Sequence, residues 1–300
     1  MSSTILIPGG SREIEAIRKQ SESYTHETVP TTFINVKGTN FAYRVFGKHT
    51  GIPIVFLQHF TGTMDNWDPA VTNELAKKHT VILFDNKGVG SSSGETPDSV
   101  VEMADDAIDF IFALGFEKVD VLGFSLGGFI AQNLAETYPD LIRKVILAGT
   151  GPKGGEGITE LLTTVNAGMS DGPGKVLRNL FFTKTASGFA AGEEFLQRLQ
   201  SRKVNRDSPA SEETVNAQAK AIIMFGHEAD AANRQLRNIK QPVLIVNGTE
   251  DLIVPSVNSF VLSKDLINSK LILWSDSGHG GLFQHHKDFV NELESFLGAN

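Results

Sequence analysis

The segment that decides the fold is residues 119–131, Val-Asp-Val-Leu-Gly-Phe-Ser-Leu-Gly-Gly-Phe-Ile-Ala. Its first residues, 119–122, predict a buried β-strand, and residues 127–131 predict the start of a helix. Between them lies a Gly-x-Ser-x-Gly pattern centred on Ser125. A sharp strand-to-helix turn between small residues exposes a serine hydroxyl at the edge of a sheet. We therefore take Ser125 as the candidate nucleophile, the alternative being a serine that only caps a helix.

The same pattern occurs a second time, so the pattern alone decides nothing. The second copy is Gly90-Ser91-Ser92-Ser93-Gly94, and Glu95-Thr96-Pro97 follows it. A loop rich in glycine and serine, with no strand before it and no helix directly after it, is typical of a surface turn. Ser92 is therefore the weaker candidate.

Short apolar runs alternate with helical segments along most of the chain. Several runs, such as Ile54-Val55-Phe56-Leu57, are apolar throughout, as are strands of a parallel sheet that helices cover on both faces. Two initial strands followed by β-α alternation predict a doubly wound α/β sheet with an antiparallel start. Helices are predicted at 98–114, 127–138 and 283–297. The strands are predicted at Thr32-Val36, Phe41-Phe46, Pro53-Gln58, Thr80-Asp85, Lys118-Phe124, Lys144-Ala148, Pro242-Asn247 and Lys270-Trp274.

The alternation stops between residues 151 and 240, where every segment has helical spacing. This stretch is longer than an ordinary connection between two strands. It predicts a helical cap inserted into the core. We therefore divide the chain into an N-terminal extension (1–30), a core (31–150 and 241–300) and a helical cap (151–240).

A serine nucleophile needs a base and a third group that orients the base. Asp251 follows the strand at 243–246 and fits the acid, with Glu250 as a neighbouring rival. His279 follows the last strand between glycines and fits the base. Asp276 precedes His279 by only three residues and is more typical of a turn.

The reaction also needs hydrogen-bond donors for a developing oxyanion. The backbone N–H of Leu126, directly after the nucleophile, predicts one donor. The loop after the strand at 53–58, which runs Gln58-His59-Phe60-Thr61-Gly62, predicts the other. The sequence contains neither a metal-binding motif nor a nucleotide phosphate loop, so we expect no metal and no cofactor.

Composition excludes several classes of protein. The chain has 300 residues, 40% of them hydrophobic and 21% charged, and a formal net charge of −8. An acidic balance argues against non-specific binding of nucleic acid. The chain has no cysteine, which excludes thiolate catalysis and disulfides. No apolar run is long enough for a membrane span and residues 1–26 do not resemble a secretory signal, so we expect a cytoplasmic protein that does not bind membranes.

These residues resemble the α/β-hydrolase superfamily, and the resemblance extends over residues 32–298. Within it the chain is most similar to capped esterases, lactonases and cofactor-free haloperoxidases or perhydrolases. The resemblance implies an eight-stranded, mostly parallel sheet with helices on both faces and an inserted cap. The motifs that carry it lie at 57–62, 84–92, 123–128, 248–255 and 277–279.

The resemblance also implies roles for the site residues: Ser125 as nucleophile, Asp251 as acid and His279 as base. It places the second oxyanion donor at Thr61. Where the family usually has His-Gly, this chain has His59-Phe60, so Phe60 remains an alternative donor. A serine at position 125 argues against haloalkane dehalogenases and epoxide hydrolases, which use aspartate there.

The function that we expect is cleavage of a small-to-medium ester or lactone through an acyl-enzyme. The expected partner is a small-molecule substrate, and the sequence leaves the oligomeric state open, a homodimer included. Perhydrolysis or haloperoxidation, and carbon–carbon hydrolysis, use the same triad and stay open. From another class, a non-catalytic small-ligand receptor on this fold stays open as well. The expected pocket residues are Phe60, Phe181, Phe182 and Met224.

Overall fold

The computed structural model describes residues 21–49, 51–169 and 172–299, and its centre is one eight-stranded sheet. The strand order across the sheet is β1-β2-β4-β3-β5-β6-β7-β8. The strands are β1 (Thr32–Val36), β2 (Thr39–Gly47), β3 (Ile54–Leu57), β4 (Thr80–Phe84), β5 (Val119–Phe124), β6 (Ile142–Ala148), β7 (Val243–Gly248) and β8 (Ser269–Trp274).

Strand direction follows from the connections. β1 and β2 form a hairpin through Lys37 and Gly38, whose φ angles of 50° and 90° suit a tight two-residue turn. β2 also pairs antiparallel with β4, and all other neighbours pair in parallel. The five strands from β3 to β7 are buried along nearly their whole length, because helices cover both faces. The predicted fold is confirmed.

Eleven α-helices accompany the sheet in the described part of the chain. α1 and α11 pack together on one face, while α2, α3, α8 and α9 form a connected layer on the other. The helices are α1 (Pro69–Ala76), α2 (Val100–Ala113), α3 (Leu126–Thr137), α4 (Leu161–Gly168), α5 (Val176–Phe181), α6 (Ala186–Leu199), α7 (Glu212–His227), α8 (Arg234–Asn238), α9 (Val257–Asp265), α10 (Gly281–Gln284) and α11 (His286–Gly298).

The connection from β6 to β7 carries helices α4 to α8, and the described residues of this stretch contain no strand. The helical content expected between residues 151 and 240 is therefore present. The division into extension, core and cap stays a prediction, and residues 1–20 of the extension lie outside the described residues.

The predicted helix at 283–297 differs from the structure, which has two helices there. His285 separates α10 from α11 with φ −104° and ψ 37°, outside the helical region. Its ring stacks on that of Trp274, in β8, with the ring centroids 5.3 Å apart. This contact fixes His285 at the point where the two helices separate. Among the helices described, none is both long and apolar enough to cross a bilayer.

Candidate active site

Ser125 lies on a strained turn between β5 and α3. Its φ of 54° and ψ of −117° are unusual for a residue with a side chain. Such a conformation costs about 1–3 kcal/mol and persists only where the surroundings impose it. The Ser125 N–H donates to Ala148 at 2.9 Å, and its carbonyl accepts from Gly128 N–H at 2.8 Å and Thr150 Oγ1 at 2.9 Å. Three hydrogen bonds therefore hold the turn.

Two glycines of the motif are required by close backbone contacts. A Cβ on Gly123 would lie 2.2 Å from the carbonyl oxygen of Gly127, and one on Gly127 would lie 1.9 Å from that of Leu57. The second contact joins the turn to the end of β3, where the loop of residues 58–62 begins. The glycines thus set the distance between the serine turn and this loop.

Asp251 and His279 form a buried pair on the loops after β7 and β8. The Asp251 Oδ2 accepts from His279 Nδ1 at 2.8 Å, and Oδ1 accepts from the N–H groups of Ile253 and Val254 at 2.9 and 3.0 Å. A carboxylate only accepts hydrogen bonds, so Nδ1 must carry the proton. The Nε2 of His279 is then free to act as a base.

The two loops are held against each other by backbone contacts. Glu250 N–H donates to the carbonyl of Ser277 at 2.9 Å, and Thr249 N–H donates to that of Trp274 at 2.9 Å. A Cβ on Gly248 would lie 2.1 Å from the Ser277 oxygen, so only glycine permits this approach. β5, β7 and β8 run parallel, and their carboxyl ends therefore bring the three loops to one edge of the sheet.

Ser125 and His279 face a common cavity of about 600 Å³. Helices α4 and α5 form its apolar wall, and a segment at 206–210 forms a polar side together with residues 63–66, which include a short 3-10 helix. Phe60 and Phe181, both expected in the pocket, line this cavity. Its apolar side chains also include Leu161, Val165, Met169, Val176, Leu177, Leu180, Val215 and Ile253.

The other two expected pocket residues lie elsewhere. Phe182 borders a separate cavity of about 320 Å³ and packs against Phe195. Met224 is 48% exposed on α7. The buried positions of α7, such as Ala221 and Phe225, face the interior, and helical spacing turns Met224 outward.

The loop at 58–62 places both candidate oxyanion donors beside the cavity. The Gln58 side chain spans the loop, accepting from His59 N–H at 2.8 Å and donating to the Thr63 carbonyl at 2.7 Å. Thr61 has a left-handed φ of 61°. Its N–H donates to Oε1 of Gln218, on α7, at 2.6 Å. Leu126 begins α3, so its N–H has no acceptor within the helix.

His59 contributes a second imidazole to the cavity wall. Burial lowers its pKa to about 4, so the ring is neutral near pH 7. Its Nδ1 lies 2.8 Å from the Phe60 carbonyl and must therefore be the donor. The ring packs edge-on against Phe124 and Phe181, with ring centroids 5.4 and 5.3 Å apart.

A buried charge cluster lies under the polar side of the cavity. Arg44, on β2, donates to Asp65 at 2.7 Å and to Asp207 at 2.9 Å, and the Arg44 and Asp207 side chains are fully buried. Burial is the main cause that raises the pKa of Asp207. The cluster joins the segment at 206–210 to the sheet.

The weaker sequence candidates have structural roles. Ser92 lies on a turn, as expected, but its side chain is buried: its Oγ donates to the Asp85 carbonyl at 2.7 Å and accepts from Ala42 N–H at 2.9 Å. Asp276 accepts hydrogen bonds from Thr183 and Thr185 at 2.7 and 2.8 Å. The Ser187 hydroxyl also donates to Asp276, and this bond, followed by those from Thr183 and Thr185, lowers the pKa of Asp276 and holds the start of α6.

Sequence reasoning missed Gln218 and Arg44. Both are polar side chains in otherwise ordinary patterns, and only tertiary pairing distinguishes them. A larger and more open depression of about 820 Å³ lies beside α2 and α7 and contains none of the candidate catalytic residues. Within the described ranges, no three histidine, aspartate or glutamate side chains come together as a metal site.

Known proteins share this architecture. A family described as the alpha/beta hydrolase fold matches residues 52–286. An alpha/beta hydrolase fold protein from Chitinophaga pinensis is 41% identical, with a TM-score of 0.89 over 92% of this chain and 100% of that one. Proline iminopeptidase PfmaB from Pestalotiopsis fici is 27% identical over 88% of this chain and 98% of its own.

A further solved structure, of Est816 described as an N-acyl homoserine lactone degrading enzyme, is 24% identical with a TM-score of 0.70, over 88% of this chain and 100% of that one. At this identity the likeness concerns the fold alone. The family match extends from just before β3 to the first residue of α11 and includes all three loops that carry the candidate catalytic residues. The chain therefore belongs to the α/β-hydrolase family.

Proposed function

We propose that the protein is a serine hydrolase that cleaves a small-to-medium ester or lactone through an acyl-enzyme on Ser125. The observation that carries this proposal is the buried Asp251–His279 pair, whose histidine borders the same cavity as the strained Ser125. A hydroxyl nucleophile, a base and an orienting carboxylate are the groups that acyl transfer needs.

In the first half of the reaction, His279 Nε2 takes the proton of Ser125 Oγ as Oγ attacks the substrate carbonyl carbon. The carbonyl π electrons move to oxygen, and the oxyanion accepts from Leu126 N–H and from one N–H of the loop at 58–62. The intermediate collapses and the alkoxide leaves with the proton from His279. Asp251 stabilises the imidazolium throughout.

In the second half, His279 takes a proton from water, and the hydroxide attacks the acyl carbon. Collapse of this second intermediate returns the proton to Ser125 Oγ and releases the acid. For a lactone the leaving alcohol stays attached to the acyl group, so the product is a single hydroxy acid.

The helical stretch at 151–240 acts as a cap that selects the substrate. Its α4 and α5 supply most of the apolar wall, and a cavity of about 600 Å³ suits a small-to-medium acyl group. One relative of the chain is named as a proline iminopeptidase. A substrate panel should therefore include a prolyl amide beside esters and lactones.

The test is labelling with a fluorophosphonate probe, together with turnover of the panel. Ser125→Ala should abolish labelling and turnover and retain the fold. Ser92→Ala is the matched control, because Ser92 has the same local pattern and borders none of the described cavities. Labelling at Ser92, or full activity of Ser125→Ala, would refute the proposal. Tight ligand binding without turnover would favour a receptor instead.

A further inference from the structure

Gln218 links helix α7 to the catalytic centre. Its side chain is fully buried, and its Oε1 accepts the Thr61 N–H at 2.6 Å. Because a backbone N–H can only donate, the atom facing Thr61 must be the amide oxygen. The Nε2 is then left without a partner among the described residues. The amide is thus held through its oxygen alone.

Helix α7 has a fixed position on the core. Thr214, one turn before Gln218, donates from Oγ1 to the carbonyl of Gly88 at 2.8 Å and lies 2.9 Å from the Thr96 hydroxyl. Residues four apart share a face of a helix. The face that docks on the core is therefore the one that presents Gln218 to the loop at 58–62.

The hydrogen bond between Gln218 and Thr61 changes which backbone N–H groups are available to bind an oxyanion. An N–H has one hydrogen, and that of Thr61 is already donated to Gln218. Phe60 borders the cavity too, and in the part of the chain that the structure describes its N–H has no acceptor. A left-handed β-branched residue such as Thr61 also needs support from its surroundings, and Gln218 supplies one such contact.

We propose that Gln218 is a positioning residue that holds Thr61 in its left-handed conformation and leaves the Phe60 N–H, with that of Leu126, to bind the oxyanion. This inference rests on the proposed function. It assigns a catalytic consequence to a residue of the helical stretch that does not border the cavity itself.

The test compares Gln218→Met with wild type in the full-length protein. Methionine keeps the length of the side chain and removes the acceptor. We expect kcat for a p-nitrophenyl ester, per titrated active site, to fall by about 10- to 100-fold, somewhat less than for direct loss of a donor. KM should change little, and a boronic acid inhibitor that mimics the tetrahedral intermediate should bind more weakly by a similar factor.

Gln235→Met is the matched control, since Gln235 is another buried glutamine. Unlike Gln218, it has no hydrogen-bond partner for either amide atom among the described residues. Gln235→Met should leave kcat and boronate binding unchanged. Three results for Gln218→Met would overturn the inference: a rise in kcat, tighter boronate binding, or an unchanged kcat, whether or not the melting temperature falls. Absence of ester turnover in wild type would instead refute the proposed function.

A crystal structure of wild type with a phosphonate on Ser125 gives a second test that needs no variant. We expect the phosphonyl oxygen within about 2.7–3.1 Å of the Phe60 and Leu126 nitrogens, with Gln218 still on Thr61. A phosphonyl oxygen on the Thr61 nitrogen, with Gln218 displaced, would overturn the inference.

Discussion

Substitution of Gly127 by alanine should damage both stability and turnover, because the new Cβ meets backbone and not a movable side chain. It would lie 1.9 Å from the Leu57 oxygen and 2.4 Å from its carbonyl carbon, so the two segments must separate by about 1 Å to reach 3.0 Å. Overpacking of this kind costs about 1–3 kcal/mol. A misplacement of about 1 Å in a catalytic site can reduce the rate by about 100-fold.

The displaced segment is the end of β3, directly before the loop at 58–62, so the loss should appear mainly in kcat. The measurement is kcat per titrated active site, with the free energy of unfolding in urea. Gly298→Ala is the control, since its Cβ would meet nothing within 4 Å, and it should change stability by less than about 1 kcal/mol. Wild-type kcat and stability in Gly127→Ala would show that the contact does not position the loop.

Two further predictions concern stability. Arg44→Met should lower the free energy of unfolding by about 3–5 kcal/mol, since it removes the charge that directly contacts both buried carboxylates and leaves Asp65 only the longer 3.8 Å contacts with Arg202 and Arg206. Arg237→Met, at an exposed ion pair, should cost less than about 1 kcal/mol, and equal losses in the two variants would contradict the argument. Burial lowers the pKa of His26 to about 4. Below pH 6.5 the unfolded chain therefore binds a proton that the folded chain does not, and stability falls as pH drops towards 4. Between pH 7 and 5 the free energy of unfolding should therefore fall by about 2 kcal/mol less in His26→Gln than in wild type. The measurement is urea unfolding across this pH range, and an identical pH dependence in the two proteins would contradict the burial argument.

The fold was predictable because its signals are local. Each central strand is a short apolar run, and the alternation with helices specifies a parallel sheet. The order of Ser125, Asp251 and His279 along the chain, each after a strand, predicts that they meet at one edge. The structure brings Asp251 and His279 into contact and places Ser125 at the same cavity, while their catalytic roles stay predictions.

Features that depend on tertiary contacts were not predictable. No local pattern shows that Gln218 reaches Thr61, since the two residues are 157 positions apart. Helical spacing did suggest that aromatic and methionine side chains of the insertion face inward, but it does not decide which face of each helix points to the core. Met224 is an example: it is apolar, yet it lies on the exposed face of α7.

The helical stretch is hydrogen-bonded to the loop of His279 and to the loop at 58–62, which has a consequence for substrate selection. The carbonyl of Phe181, at the end of α5, accepts a hydrogen bond at 2.8 Å from the N–H of Gly280, the residue after His279. Gln218, on α7, accepts the N–H of Thr61 in the loop at 58–62. α5, with α4, forms most of the apolar wall of the cavity, and α7 adds Val215 to it. A change that reshapes this wall therefore also moves groups that are hydrogen-bonded to the loop of His279, the candidate base, and to the loop at 58–62. Substrate preference and turnover rate should therefore change together when α5 or α7 is altered, and exchange of the whole stretch should affect kcat as well as KM.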